Sequence, residues 1–337
     1  MIQRLNKIYS ESLKIVKEYL DKEYSIEKIF TLVGLGLASY AIGRSIFKLA
    51  NSLIISPETL IQRYGSHSWA VITGATGGIG REFARELARQ GFSICLMGRG
   101  RDKMEKLIKE LEEINSKIAT KVISIDFTES LDTTMWREIM IELEYVDPAI
   151  LVNNVGMALF DLFAESDMRE LKDTISVNCM AMTHLTRHLI DKMMSRKKRS
   201  AIINMSCLEG TYPYPFVSVY SATKAYVDTF SKSLSAEVGH KIDVISYTPY
   251  VVKTNLAILS KSIFMITAEE CVQSCLRALG KTDTTAGHWK HRFVKYIRTW
   301  YPPDAKNIIY RITKYAKIQE MKSIDQRFEN RKKMVLQ

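Results

Sequence analysis

From Ser68 to about Thr254 the chain alternates between short apolar runs and longer segments of helical period. The apolar runs are WAVITG, FSICLMG, KVISIDF, AILVNNVG, SAIINMS and IDVISYTP, and they read as strands. Between them lie GREFARELARQG, RDKMEKLIKELEEI, the long MRELKDTISVNCMAMTHLTRHLIDKMM and YSATKAYVDTFSKSLSAEVG, which read as helices. Strand, helix, strand at this spacing predicts a parallel sheet covered on both faces, with right-handed crossovers. The expected class is α/β, a three-layer, Rossmann-type, doubly wound sheet. After an apolar insertion, LAILSKSIFMI, a further capped helix is expected at TAEECVQSCLRALG.

The flanks follow other patterns. Residues 1–28 are charged but place Ile8, Ile15, Val16 and Tyr19 on one face, the mark of an amphipathic helix. Acidic residues rule against a transit peptide, and the charged run is too long for a secretory signal. Residues 29–56 form a hydrophobic, membrane-type segment whose uncharged core is IFTLVGLGLASYAIG. That core is shorter than the ~20 residues a spanning helix needs. Snorkelling by Arg44 and Lys48 would extend it; the alternative is a buried or partner-docked helix. The Rossmann domain is expected over 66–280. A basic extension over 281–337 mixes aromatic residues with Lys/Arg at helical spacing, which suits a helix lying in a membrane interface.

Composition sharpens this division. The chain has 337 residues, 46% of them hydrophobic, enough for one large domain with appendages. Its net charge is +11, and residues 281–337 hold 14 Lys/Arg against 5 Asp/Glu, a net +9. Such a tail can meet anionic lipid, an acidic protein or nucleic acid. No nucleic-acid recognition module is visible, so no nucleic-acid partner is expected. The five cysteines lack a paired framework and are expected as free thiols. Neither Cys271/Cys275 nor His184/His188 carries a metal signature, and no metal is expected. The basic run SRKKRS at 195–200 reads as a solvated turn.

Two stretches carry candidate chemistry. After the first strand, Gly74, Gly78 and Gly80 are spaced G-x-x-x-G-x-G and lead into a helix. Such a turn lets backbone N–H groups and the helix N-terminus meet a pyrophosphate. The second strand ends in Arg99 with no acidic residue, which favours a 2′-phosphate and hence NADP(H) over NAD(H). Further on, Tyr220 and Lys224 stand four apart on one helix face. A neighbouring ammonium stabilises tyrosinate, so the pair suits proton transfer to a carbonyl oxygen. Thirteen residues before the tyrosine the chain has Cys207. A thiol is a weak donor. Ser206 is adjacent, but neighbouring strand residues point to opposite faces, so its help requires a bulge or twist.

Together these residues resemble the short-chain dehydrogenase/reductase family, in its membrane-anchored branch, over roughly residues 66–280. The segments NNVGM, YSATKAYVDTFS and TPYVVKT are most similar to very-long-chain 3-oxoacyl-CoA reductases and related 17β-hydroxysteroid dehydrogenases. The resemblance implies a cofactor loop at TGATGGIG, including Thr76 and Ile79, and an adenine contact at Asp126. It implies a sheet-steadying motif at NNVG that brings Asn153 to the cofactor, and a catalytic asparagine at Asn178 positioning a relay water. It makes Tyr220 and Lys224 the catalytic pair, puts Cys207 in the place of the catalytic serine, and lets Lys224 hold the ribose. It assigns the nicotinamide segment to Pro249, Val252 and Thr254. It also implies NADPH-dependent reduction of a lipid-like carbonyl, in or on a membrane, the endoplasmic reticulum first and the mitochondrion as alternative. Partners would be a lipophilic substrate, membrane lipid, and a homodimer or membrane assembly. Cys207 leaves an alternative open: a catalytically impaired homologue kept as a cofactor-binding structural subunit.

Overall fold

A computed structural model describes residues 58–212, 216–254 and 262–299, with isolated positions (11, 14, 31, 33–36, 39 and 40) before them. The chain divides into two compact units, residues 1–59 and 60–337. Nearly all of the expected helix at 1–28 and of the segment at 29–56, and the extension beyond residue 299, lie outside the described residues. Among the described residues no helix is long and apolar enough to cross a membrane.

In the second unit each expected strand is present: β1 (Trp69–Thr73), β2 (Ser93–Gly98), β3 (Thr120–Ser124), β4 (Pro148–Asn153), β5 (Ser200–Met205) and β6 (Ile242–Tyr247). A two-residue strand, β7 (Thr284–Thr285), extends the sheet and was invisible to the hydrophobic pattern. All pairings are parallel, in the order β3-β2-β1-β4-β5-β6-β7. The order reverses between β1 and β4, and the crevice at the carboxyl ends of those strands is where such sheets take ligands.

The helices follow as α1 (Leu60–Tyr64), α2 (Gly78–Arg89), α3 (Arg101–Ile114), α4 (Thr133–Glu142), α5 (Met168–Ile175), α6 (Ala181–Ser195), α7 (Ser218–Val238), α8 (Ala268–Ala278) and α9 (Trp289–Thr299). Alternation along each strand separates two cores. Ile72, Leu96, Val152 and Ile203 pack with Phe83 and Leu87 of α2 and Val272 of α8. Val71, Met97, Leu151 and Ile202 pack on the other face with Leu185 and Leu189 of α6. Residues pointing to either face are apolar because both faces are covered. A capping box between Thr267 and Glu270 starts α8 as expected.

Two local features depart from the sequence reading. The long helix expected over 168–194 is interrupted by a π-helical turn at Ser176–Met180, between α5 and α6, which carries Asn178. Such insertions gather at functional sites. The SRKKRS run is not a solvated turn. Arg196, with a side chain 7% exposed, holds Asp147 at 2.7 Å, Ser68 Oγ at 2.7 Å and the Tyr64 carbonyl at 2.8 Å. Arg199, Arg63 and the Tyr64 hydroxyl converge on Asp243 at 2.7, 2.7 and 2.9 Å. These arginines tie α1 and the amino-terminal ends of β4, β5 and β6 together, at the edge of the sheet opposite the crevice. His184 and His188 sit beside Trp136, His184 stacking at 5.5 Å between ring centroids. Cys271 and Cys275 are fully buried in the core.

Candidate active site

The loop from β1 to α2 is shaped by contacts that exclude side chains. Gly74 has φ +67°, a left-handed conformation suited to glycine. At Gly80 a Cβ would lie 2.4 Å from the Gly74 carbonyl oxygen and 2.6 Å from Asn154 Nδ2, so the helix start and the strand end touch through bare backbone. The amide of Asn154 fixes this approach by donating to the carbonyls of Thr73 at 2.9 Å and Gly74 at 3.2 Å. Gly77, at the N-cap of α2, brings no capping side chain, which leaves the first amides of the helix to an anion. Thr76 is exposed beside them, while Ile79 packs into the core. Gly78 faces Thr254, whose Cγ2 would lie 3.0 Å from a Cβ there, so the segment expected to meet nicotinamide borders this loop.

At the ends of β2 and β3, Arg99 is 73% exposed and stands 3.8 Å from Asp126. Asp126 also caps the turn that follows by accepting from Thr128 N–H at 3.0 Å. Pro249 is buried and its carbonyl accepts from Leu208 N–H. Val252 forms a bridge to Ile266. Asn153 turns its side chain inward, donating to Asn204 Oδ1 at 2.8 Å and to Thr186 Oγ1 at 3.1 Å. What it can offer the crevice is therefore main chain; the second asparagine of the motif, Asn154, braces the loop.

The carboxyl end of β5 faces α7. Tyr220 and Lys224 are buried, 9% and 6% exposed, with the ammonium 5.6 Å from the tyrosine ring centroid. Lys224 Nζ donates to the Met205 carbonyl at 2.9 Å. Gly156 leaves the space beside them: a Cβ there would lie 3.2 Å from Asn178 Oδ1 and 3.5 Å from Lys224 Nζ. Asn178 donates both amide hydrogens, to the Met157 carbonyl at 2.9 Å and Thr223 Oγ1 at 3.0 Å, and accepts from Met157 N–H at 2.9 Å. Burial pushes the Tyr220 hydroxyl well above its ordinary pKa, with Cys207 and Glu209 adding to the rise. Burial pushes the Lys224 ammonium down.

The place of Ser206 and Cys207 is now explicit. Ser206 is buried and its hydroxyl donates to the Lys224 carbonyl at 2.7 Å, behind the Tyr220–Lys224 pair. No bulge turns it toward the substrate side. Cys207 is the residue near the tyrosine, close enough to add to the rise of its pKa. The thiol donates in turn to Glu209 Oε2 at 2.5 Å. Burial and then the Glu209 charge push the thiol's pKa up.

Two contributors escaped the sequence reading. Glu209 is one, and its partner Arg298, at the far end of α9, is the other, 3.9 Å away. Arg298 lies over the rings of Tyr250 at 4.9 Å and Tyr212 at 6.0 Å. Helix α9 is held by buried His291, which accepts from Tyr250 N–H at 3.1 Å and reaches the Phe264 carbonyl at 3.2 Å. Burial lowers His291 to about 4, so it serves as a neutral ring. No local sequence signal joins residues 209 and 298. Beside the start of α7, Leu159, Phe163, Leu171, Phe216 and Val219 line a small hollow together with Asp161, Ser166 and Ser218.

A family model described as short chain dehydrogenase matches residues 68–262. The very-long-chain 3-oxoacyl-CoA reductase-A of Danio rerio is 32% identical over 304 residues, covering 87% of this chain and 92% of the relative. Hydroxysteroid dehydrogenase-like protein 1 of Gallus gallus is 33% identical over 317 residues, covering 89% and 91%. Among solved structures, a short-chain dehydrogenase from Sphingobium yanoikuyae in complex with NADPH superimposes with a TM-score of 0.56 at 25% identity, covering 63% of this chain and 84% of that one.

Proposed function

Since this chain belongs to the short chain dehydrogenase family and is an oxidoreductase of the CH–OH/C=O group, we propose that it reduces a lipid-like carbonyl, a 3-oxoacyl-CoA or a steroid ketone, with NADPH as reductant. The observation that carries the reading is the buried Tyr220–Lys224 pair at the same crevice as the bare glycine loop. The relatives' names support a lipophilic substrate. Exposed Arg99 supports the phosphorylated cofactor.

The residues fit such a cofactor. Gly74, Gly80 and the uncapped start of α2 suit a pyrophosphate, Arg99 a 2′-phosphate, Asp126 the adenine side, and Lys224 the ribose hydroxyls. Pro249, Val252 and Thr254 border the nicotinamide end. When bound, NADPH supplies the hydride that goes to the carbonyl carbon. Tyr220 donates its proton to the carbonyl oxygen, and its high pKa keeps that proton in place at neutral pH. Lys224, already lowered by burial, is a ready source from which to return a proton to Tyr220. Asn178 fixes the Met157 loop and α7. With both amide hydrogens committed, only the spare lone pair of Oδ1 or its main chain remains to hold a relay water.

The site of action is proposed to be a membrane, with the apolar 29–56 segment and the basic tail as its contacts. One observation favours a slower variant of this chemistry: the proton of Cys207 goes to Glu209 rather than toward the substrate side. NADPH oxidation assayed against 3-oxoacyl-CoA thioesters and steroid ketones tests the proposal. Turnover that depends on substrate supports it; bound NADPH without turnover on any member of the panel returns the chain to the structural-subunit alternative.

A further inference from the structure

We propose that Glu209, steadied by Arg298 of α9, is a positioning residue that holds the Cys207 thiol proton away from the substrate, leaving Tyr220 as the one side-chain donor to the carbonyl oxygen. The inference rests on the reductase reading above and concerns how that site is set.

The geometry is a chain of three side chains. The thiol has one hydrogen, and it points to Glu209 Oε2. The sulfur stands near Tyr220 with its proton committed to the carboxylate. Glu209 is kept in place on its far side by the Arg298 guanidinium at 3.9 Å; the two side chains are 18% and 14% exposed. Arg298 is itself stacked against Tyr250 and Tyr212, and α9 is pinned by His291 to Tyr250 and Phe264. The turn carrying Glu209 has no slack on its other side, because a Cβ on Gly210 would lie 2.6 Å from the Lys224 main chain. The carboxylate is thus fixed between the catalytic helix and a helix some ninety residues later in the chain.

A hydrogen bond to a carboxylate is stronger than one to a carbonyl oxygen, so the thiol stays with Glu209 when substrate enters. Reduction then proceeds with hydride delivered to carbon and the Tyr220 proton to oxygen, without a second donor. The same capture would act on a serine hydroxyl. Cys207→Ser alone is therefore expected to restore little, and the second donor appears only once Glu209 is removed.

The test uses the full-length chain in two assays. In the first, kcat for ketone reduction is measured in a cycle of Cys207→Ser and Glu209→Ala. The serine is expected to raise kcat less than about twofold beside Glu209, and by on the order of 10²-fold in its absence, the worth of one donor to a developing oxyanion. In the second, alkylation of Cys207 by iodoacetamide is followed by mass spectrometry. The other four cysteines are buried, so the readout is specific. Glu209→Gln keeps the shape and removes the charge, and alkylation is expected to quicken about tenfold or more as the thiolate loses a like-charged neighbour. A serine gain that is the same with and without Glu209, or alkylation unchanged in Glu209→Gln, overturns the proposal. Quickened alkylation with no turnover in any variant upholds Glu209 as the holder of the thiol and overturns the reductase reading instead.

Discussion

Gly80→Ala places a methyl group where the structure has none to spare. Its Cβ would lie 2.4 Å from the Gly74 carbonyl oxygen, 3.0 Å from the Gly74 carbonyl carbon and 2.6 Å from Asn154 Nδ2. Two of these three atoms are backbone, so the clash cannot be relieved by a rotamer change. The β1–α2 loop must open by several tenths of an ångström, and the 3.2 Å bond from Asn154 to the Gly74 carbonyl is lost with it. Overpacking of this kind costs about 1–3 kcal/mol, and an unmade amide bond about 1 kcal/mol more. The loop that opens is the one expected to cradle the pyrophosphate. NADPH affinity should therefore fall by up to about 30-fold to several hundredfold, at 1.4 kcal/mol per decade. Gly78→Ala is the internal comparison: its near neighbour is the Thr254 side chain, and its φ of +56° adds only the cost of left-handed backbone. Fluorescence titration of NADPH into both variants, with thermal unfolding alongside, checks the ranking. Wild-type affinity and stability in Gly80→Ala would refute the reasoning from close backbone approach.

Other outcomes follow from the same geometry. Arg99→Ala should weaken NADPH by roughly 10- to 100-fold, the worth of a charged hydrogen bond, and leave NADH nearly unchanged; competitive titration of the two cofactors decides it. Asp243→Asn should destabilise the fold by about 3 kcal/mol, since it strips the counter-charge from two arginines, while leaving NADPH binding intact at the opposite edge of the sheet; urea unfolding measures it. Burial opposes ionisation of Asp243, but Arg63, Arg199 and Tyr64 outweigh it and hold the carboxyl below its ordinary value. Its stabilisation is therefore present above the unfolded value of about 3.9 and is lost as pH falls through the lower folded one. Ketone reduction should stay flat from neutral into alkaline pH, because the raised Tyr220 pKa keeps the donor protonated. Alcohol oxidation, which needs the tyrosinate, should rise with pH over the same range. A reduction limb that fell below pH 9 would contradict the burial of Tyr220.

The parts of this molecule that were legible in its sequence are those written in local pattern. Buried strands announce themselves as apolar runs, so β1 to β6 were visible, whereas β7 has two threonines and no run to show. Helix α4, TTMWREIMIE, was missed because its amphipathicity is weak and its start depends on the Asp132 cap. The interruption at Ser176–Met180 carries Asn178, whose bonds to Met157 and Thr223 span 21 and 45 residues and leave no local signal. Charge was the least legible feature. SRKKRS reads as solvent-facing because nothing nearby in sequence pairs with it, yet Asp147 and Asp243 do so across the sheet edge. Glu209 and Arg298 likewise meet only in three dimensions. Ser206 was the opposite case: strand alternation already argued that it faces away, and its bond to the Lys224 carbonyl bears that out.

The central claim is that Tyr220 delivers the proton in an NADPH-driven carbonyl reduction. Its most direct measurement is substrate-dependent NADPH oxidation by the wild-type chain and by Tyr220→Phe, on a 3-oxoacyl-CoA and a steroid ketone, with NADPH binding checked in both. Turnover is expected of the wild type, with a loss of about 10²- to 10⁴-fold in kcat for the variant, the share of a positioned proton donor, at unchanged NADPH affinity. Equal turnover by the two proteins would contradict it.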